Sequence, residues 1–541
     1  MKRICILCAI PILVLVYVSR AVTADDIDRK HPLDPQLAVV ARDTTDERYR
    51  KLVLEKMLIT DLAAEWQRCA TADNADSFLE KHGGKDKVLA NPDLNRAYER
   101  RVQIRNDFLD LMRQGYKRYK KTPPFDQGVK AELAGTIAKS ITAPGGAISH
   151  VLPCPGAETN WPQFRGPSGQ GEAAGAAPPV EWDNAGKNIL WRTKVSGRGN
   201  SSPIVWGDRI FLTSADEKGR ERSVLCFDRG DGHMRWSKPV PAKPPEPAVR
   251  DKNGYATSTP VTDGERVIVF LGSCGLCCFD FAGSLQWQHD LKIRTIHGTG
   301  ASPLLYQDLV ILVQDQNQAN SVFLALDKRT GKVAWESERG RAMTWSTPVV
   351  IHVNGRDELV MAGKNTVKGY DPRTGHELWS LDGPTEEVIP NVVVGTKLIY
   401  SASGRNGPIL ALRPGGDGDV TESHLVWRTV RVGPHVPSPV LVNGRLYSAN
   451  DTGVLTCLDA ANGKLIFTQR LADQFSASPV TGGDLIWFCG ESGTTYVLRA
   501  SEQFEPVAVN KLDSPILASP AGIDGTLILR TRDELLLIGR K

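Results

Sequence analysis

Between residues 188 and 541 short apolar runs alternate with polar turns, and the whole alternation returns about every 40 to 50 residues, the mark of a repeat architecture. Each return opens on a small residue, a Ser or Thr, and a Pro leading into an apolar run: Ser201-Ser202-Pro203, Ser258-Thr259-Pro260, Ala301-Ser302-Pro303, Ser346-Thr347-Pro348, Pro437-Ser438-Pro439, Ala477-Ser478-Pro479 and Ala518-Ser519-Pro520. Ile389-Pro390-Asn391 is a degenerate eighth copy. A second apolar run follows, as at residues 209–212, 266–270 and 445–447, then a third ending in Asp, a turn, and a fourth carrying an aromatic. Runs this short, bounded by Gly, Pro and Asp, predict four strands to a repeat.

The third and fourth runs are joined in a consistent way. Asp228 leads to Trp236, Asp327 with Gly331 to Trp335, Asp371 with Gly375 to Trp379, and Asp459 with Gly463 to Phe467. Asp accepts bonds from turn amides, and Gly takes the positive φ that the hairpin requires. Trp191, Trp236, Trp287, Trp335, Trp379 and Trp427 share the fourth-run position, with Phe467 standing there once, and a large flat ring is expected to dock one sheet on the next. Four-stranded units that bury one face against a neighbour and are arranged radially make a β-propeller. Residues 188–195 read as a fourth strand lacking its first three, and the last repeat ends on a third strand at 534–538. Joining them predicts an all-β, eight-bladed β-propeller of four-stranded antiparallel blades over residues 188–541, closed by pairing its N-terminal strand with the C-terminal ones.

Residues 324–335 match in full, and residues 369–379 nearly so, the signature Ala-x-Asp-x-x-Thr-Gly-x-x-x-Trp. In this the chain resembles the pyrroloquinoline quinone (PQQ)-like β-propeller family. The other copies drift: residues 280–283 are one residue short, and Arg413 and Arg499 replace the Asp. The resemblance implies the fold; it does not by itself imply a chemistry, because similar propellers occur both in quinoprotein dehydrogenases and in cofactor-free binding proteins.

Ahead of the repeats the pattern changes. Met1-Lys2-Arg3, an apolar run from Ile4 to Val18 and the small residues before Asp25 predict a secretory signal peptide over residues 1–24, cleaved after about Ala24. The run is shorter than the roughly 20 residues of a membrane span, so no transmembrane segment is expected after signal removal, and the periplasm or the cell exterior is the expected location. Helical spacing of apolar residues predicts an α-helical module over residues 25–121: a helix from Thr44 to about Cys69, a short one near residues 76–82 that stops at Gly83-Gly84, and a longer one from about Asp93 to Lys120. Residues 122–187 read as linker and an extended lead-in arm, with Trp161, Phe164 and Trp182 expected to lay the arm over the outer propeller.

Composition adds limits. A net charge of +4 on 541 residues argues against a nucleic-acid surface, the basic run at residues 113–121 notwithstanding. Cys274 and Cys277 form a Cys-x-x-Cys, but zinc needs four ligands and no second pair exists. Cys277 and Cys278 are consecutive strand residues and so face opposite sides of a sheet. One or two disulfides are compatible with the cysteine count, and pairing is left open. Asp417-Gly418-Asp419 is expected to be a solvated turn rather than a calcium loop, and no metal site is expected.

The loops leading into the first strands place Arg198, Asn200, Tyr255, His297, Trp345, Asn391, His435 and Phe475 at one mouth of the channel, the expected ligand-binding ring. A quinoprotein would also need calcium ligands and a carboxylate base beside its alcohol. Those loops hold few carboxylates: Asp473 and Asp513, with Glu386 and Glu387 further back. No catalytic residue is therefore assigned and no cofactor expected. The leading expectation is an exported binding or scaffolding propeller for a protein or glycan in the cell envelope. It is similar in architecture to the propeller lipoprotein of the outer-membrane β-barrel assembly machinery, without a lipid-anchor Cys. The alternative is a PQQ-dependent alcohol or sugar dehydrogenase with Ca²⁺, in which Trp345 stacks on the quinone while Arg198, Asn200 and His435 meet its carboxylates.

Overall fold

The computed structural model describes residues 146–541 apart from 242, 245, 247, 248, 250, 251, 296, 405 and 406, and ahead of them residues 79, 82–96, 98, 137 and 138. The chain separates into two compact units, Met1–Asp126 and Gln127–Lys541. The expected signal peptide, the helix from Thr44 and most of the helix to Lys120 lie outside the described residues. Within the first unit, Gly83 and Gly84 take φ of 83° and 97°, and the Gly84 amide donates to the Leu79 carbonyl at 2.8 Å, which ends a turn of helix where the sequence places a stop. The chain then resumes at once as a helix over Lys85–Ala90, before the expected start at Asp93. Residues 92–96 are helical as well, capped by Asn91, whose Oδ1 accepts from the amides of Asp93 and Leu94 at 3.1 and 3.2 Å. No helix among the described residues is long and apolar enough to cross a membrane.

The second unit is the eight-bladed propeller. First to last strand, blade 1 runs from Ile204–Trp206 to Met234–Pro239, blade 2 from Val261–Thr262 to Leu285–His289, blade 3 from Leu304–Tyr306 to Val333–Glu336 and blade 4 from Val349–Val353 to Glu377–Asp382. Blade 5 runs from Val393–Val394 to Leu425–Arg428, blade 6 from Val440–Val442 to Leu465–Arg470 and blade 7 from Val480–Gly482 to Pro506–Lys511. Blade 8 starts at Ala521–Ile523 and takes its fourth strand, Ile189–Lys194, from the other end of the repeat region, with Trp191 opposite Leu537 and Lys194 opposite Glu534. Segments read as linker join the sheets: Ile137–Ala138 pairs with the outer strand of blade 5, and Ser149–His150 with the first strand of blade 4.

The core lies between blades. Cys277 packs in the cluster shared by blades 1 and 2, Cys278 in the one shared by blades 2 and 3, as alternation along a strand requires. All seven described cysteines are buried and free. At the outer strands, Nε1 of Trp191, Trp236, Trp287, Trp335 and Trp427 donates to a backbone carbonyl in the third-to-fourth-strand turn of the next blade, at 2.9 to 3.2 Å. Trp379 departs from the series and donates to Glu358 of its own blade at 2.8 Å. Phe467 lies 6.3 Å from Tyr447 and 6.5 Å from Phe504, centroid to centroid.

The polar side chain of this step, Ser or Thr in six blades and Asn391 in a seventh, has a role beyond leading into a strand. Its side-chain oxygen accepts the backbone amide of the equivalent residue one blade earlier: Thr259 from Ser202, Ser302 from Thr259, Thr347 from Ser302, Asn391 from Thr347, Ser438 from Asn391, Ser478 from Ser438 and Ser519 from Ser478, all at 2.9 to 3.0 Å. These seven bonds form a belt around the channel. At the seam between blades 8 and 1, Arg530 donates to the Ser201 carbonyl at 3.1 Å and to its hydroxyl at 2.6 Å.

The lead-in arm corrects the sequence expectation. Only its end, at Trp182, lies against an outer strand, that of blade 7; the stretch with Trp161 and Phe164 instead runs through the channel on the side of the first-to-second-strand hairpins. Trp161 bridges to Val205 of blade 1, and the Pro162 carbonyl accepts from Thr262 of blade 2. Gln170 exchanges bonds with Val392 and Val394 of blade 5, and Arg165 donates to the Pro439 carbonyl of blade 6 at 2.8 Å. The amides of Ala173 and Ala174 donate to Thr481 of blade 7 and Gly522 of blade 8. Trp161 is fully buried; Trp182, beyond the channel, is buried where the arm leaves past Asn510 of blade 7. Buried amides need partners, and this aperiodic segment finds them on the free edges of the innermost strands, in its own turns and on side chains such as Asn510.

Candidate functional site

The opposite face, ringed by the loops that lead into the first strands, is the expected mouth. Described residues of the connection between blades 1 and 2 stand at it. Glu246 forms a two-pronged pair through its carboxylate with the Arg222 guanidinium; their side chains are 3% and 0% exposed. The Ser273 amide donates to the same carboxylate at 2.7 Å, and Arg222 also lies 5.1 Å over the Tyr255 ring. Further along, Lys252 Nζ donates to Glu491 at 2.7 Å and to Gln474 at 3.1 Å, both at blade 7, while its carbonyl accepts from Asn200 at 2.6 Å, beside blade 1. Asn253 Nδ2 donates to the His297 carbonyl at 2.7 Å and the Thr299 carbonyl at 3.2 Å, in the lead-in to blade 3.

The structure thus distributes the expected ring unevenly. Asn200, Tyr255 and His297 are engaged by residues of this connection or by Arg222. Trp345 packs edge-on to the His297 ring, centroids 5.9 Å apart, and donates to the Gly298 carbonyl at 3.0 Å. Arg198 is exposed, 3.7 Å from Glu217. His435 lies 3.8 Å from Glu387. Two residues are not at the mouth. Phe475 is fully buried against Phe488 and Tyr496, and Asn391, 2% exposed, is a link of the belt. Loop residues beside a packed sheet turn inward when apolar or when an unpaired backbone amide needs them, and sequence position alone does not reveal this. Lys252, Asn253 and the Arg222–Glu246 pair were missed; the signal available was the unusually long, proline-rich stretch between Pro239 and Pro247.

Beside Gln474 and Glu491 an open groove of about 550 Å³ remains, lined also by Thr452, Arg470, Asp473 and Ser492. Between arm and belt there is a second cavity of about 20 Å³, lined by Phe164, Ser168, Thr347 and Asn391, among others. That is room for about one water. The buried carboxylates Glu246, Asp315 and Glu358 are held by Arg222, Arg339 and Arg356. Arg165 and Arg530, by contrast, donate to carbonyls and a hydroxyl, and burial pushes each guanidinium down to about 9.

Neither of these two cavities fits PQQ. A tricyclic quinone needs a slot of a few hundred Å³ walled by flat groups; the channel cavity is far smaller and the large groove has no aromatic lining. Nor do the acidic turns form a calcium cage. Asp417 lies 3.3 Å from Arg356, and Asp419 accepts from the Thr421 amide and hydroxyl. Asp228, Asp231 and His233 have ligand atoms within 4.8 Å of one another, but Asp228 is paired with Arg235 and Asp231 with His233.

Belt, docked tryptophans and turn signature define a PQQ-like eight-bladed propeller. The family model described as outer membrane protein assembly factor BamB matches residues 173–294, 220–388 and 405–513, more than half of the chain, and the chain belongs to that family. It is 24% identical over 333 residues to outer membrane protein assembly factor BamB of Yersinia pestis, covering 58% of this chain and 77% of that one. To the protein of the same name from Alkalilimnicola ehrlichii it is 26% identical over 225 residues, covering 39% and 54%. Among solved structures it is similar to BamB from Moraxella catarrhalis (TM-score 0.47, 14% identity, 65% of this chain and 97% of that one). It is also similar to the quinohemoprotein alcohol dehydrogenase ADHIIG from Pseudomonas putida HK5 (TM-score 0.50, 12% identity, 71% and 81%). At such identity the likeness to the dehydrogenase speaks for the fold alone.

Proposed function

We propose that this chain is an exported, non-catalytic protein-binding propeller that serves outer-membrane protein assembly from the periplasmic side of the envelope. The observation that carries the reading is family membership over more than half of the chain. The filled channel agrees with it: the arm occupies the edges of the innermost strands on one side, and the mouth and the outer surface are left to meet a partner. A protein partner has the support of the relatives' names; a glycan has no comparable support. The expected result is that the chain co-purifies with the β-barrel insertase of its own envelope, and that depleting it lowers the level of folded outer-membrane β-barrels. Normal β-barrel levels after depletion, or PQQ- and Ca²⁺-dependent oxidation of an alcohol by the purified chain, would overturn the proposal.

A further inference from the structure

The described residues of the connection between blades 1 and 2 are held in two different ways. At its root, Glu246 and Arg222 are buried together, and Glu246 also holds the Ser273 amide. Such a pair does not open without stranding a charge. Farther out, Lys252 is 49% exposed and its partner Glu491 16%, so the pair is open to solvent on the lysine side, where salt screens it and the ammonium can be exchanged for another. Lys252 and Asn253 nonetheless reach three separate places, beside blade 1, at blade 7 and in the lead-in to blade 3. The manner of contact is that of peptide recognition. One mouth side chain, Asn200, reads a backbone carbonyl, and Glu491 with Gln474 takes an ammonium. The backbone carbonyls of His297 and Thr299 take a side-chain amide. The groove of about 550 Å³ starts from the same Gln474 and Glu491 and continues past Ser492 and Thr452. The recognition surface therefore extends beyond what Lys252 covers.

We propose that the mouth is a docking surface for an extended, lysine-bearing segment of a partner protein, and that Lys252 and Asn253 of this chain fill it until such a segment displaces them. The inference rests on the protein-binding reading above and names the surface and the kind of segment it takes. Glu491 is the residue that selects the lysine, since it receives the ammonium directly.

The test uses the full chain and a fluorescent peptide with the sequence of residues 249–255, followed by anisotropy. The double variant Lys252→Ala/Asn253→Ala is expected to bind this peptide at least about tenfold more tightly than the parent, because removing an internal competitor raises the competent fraction. Adding Glu491→Gln to that variant, or replacing the peptide's lysine by methionine, is expected to reverse the gain, with melting temperatures unchanged. Equal affinity for parent and double variant, no saturable binding to the double variant, or indifference to Glu491→Gln would each overturn the proposal. The assay contains no envelope component. Its failure leaves co-purification with the insertase intact, and failure of co-purification leaves the peptide result standing.

Discussion

The glycine in the third-to-fourth-strand turn answers to two constraints at once. Gly331 has φ of 68°, and a Cβ there would lie 2.7 Å from the Trp287 ring of the preceding blade; Gly232 and Gly375 stand in the same relation to Trp191 and Trp335. Gly207 has φ of 59° with nothing within 4 Å of a Cβ. Gly207→Ala is therefore expected to cost only the left-handed backbone penalty, about 1–2 kcal/mol. Gly331→Ala should cost distinctly more, because the tryptophan must also move; urea unfolding of the two variants measures the difference. A second residue-scale prediction concerns Arg222. Arg222→Ala leaves Glu246 buried without its partner and is expected to destabilise by about 3–5 kcal/mol, while Arg222→Met with Glu246→Leu recovers most of that. The turn signature was legible in sequence because Asp, Gly and the turn amides they serve lie within a few residues of one another. The Arg222–Glu246 pair was not legible, since its partners come from a strand and an irregular loop with no periodic relation.

At the scale of elements, strands were legible and the arm was not. A strand advertises itself through alternation and its bounding turns, and the pairing of residues 189–194 with the last strand follows from matching the ends of the repeat region. The Ser-Pro step was read as the start of a strand, but its hydroxyl serves the neighbouring blade, and that partner exists only once the ring has closed. The arm has no period at all, and its place is set by inner-strand edges far along the chain, such as Thr481 and Gly522. Trp161 is its largest wholly buried side chain. Trp161→Ala is expected to destabilise by about 3–5 kcal/mol, readable as a shift of the urea midpoint. A comparable change at Trp182, where the arm has left the channel, should leave the belt and the contacts of residues 165–174 in place, as amide hydrogen exchange of Thr481 and Val394 would report.

For the whole molecule, the blade interfaces hold their thiols in the neutral form. Burial pushes Cys226, Cys277, Cys278 and Cys489 up to about 12, above the ordinary value of 9. A thiol raised in this way favours the folded state fully below about pH 9. Above that pH the unfolded chain gains by ionising first, so the contribution falls as pH rises toward the folded value. Stability is expected to decline from about pH 9 upward, measured as urea midpoints across an alkaline series, and the described cysteines should resist alkylation at pH 8 until the chain is unfolded, as intact-mass analysis would show. The arm also fixes an order of events. It precedes every blade in the chain, yet the finished ring encircles it, so no end ever has to be threaded through a completed hole. The arm is complete before any blade, and each later blade is laid against it like a stave around a former. The strand at residues 189–194 meanwhile waits at the surface for the last three strands to be made. A chain stopped short of its last three strands would present a nearly complete wheel with one open gap, and chaperone capture at that stage should fall on Ile189–Lys194.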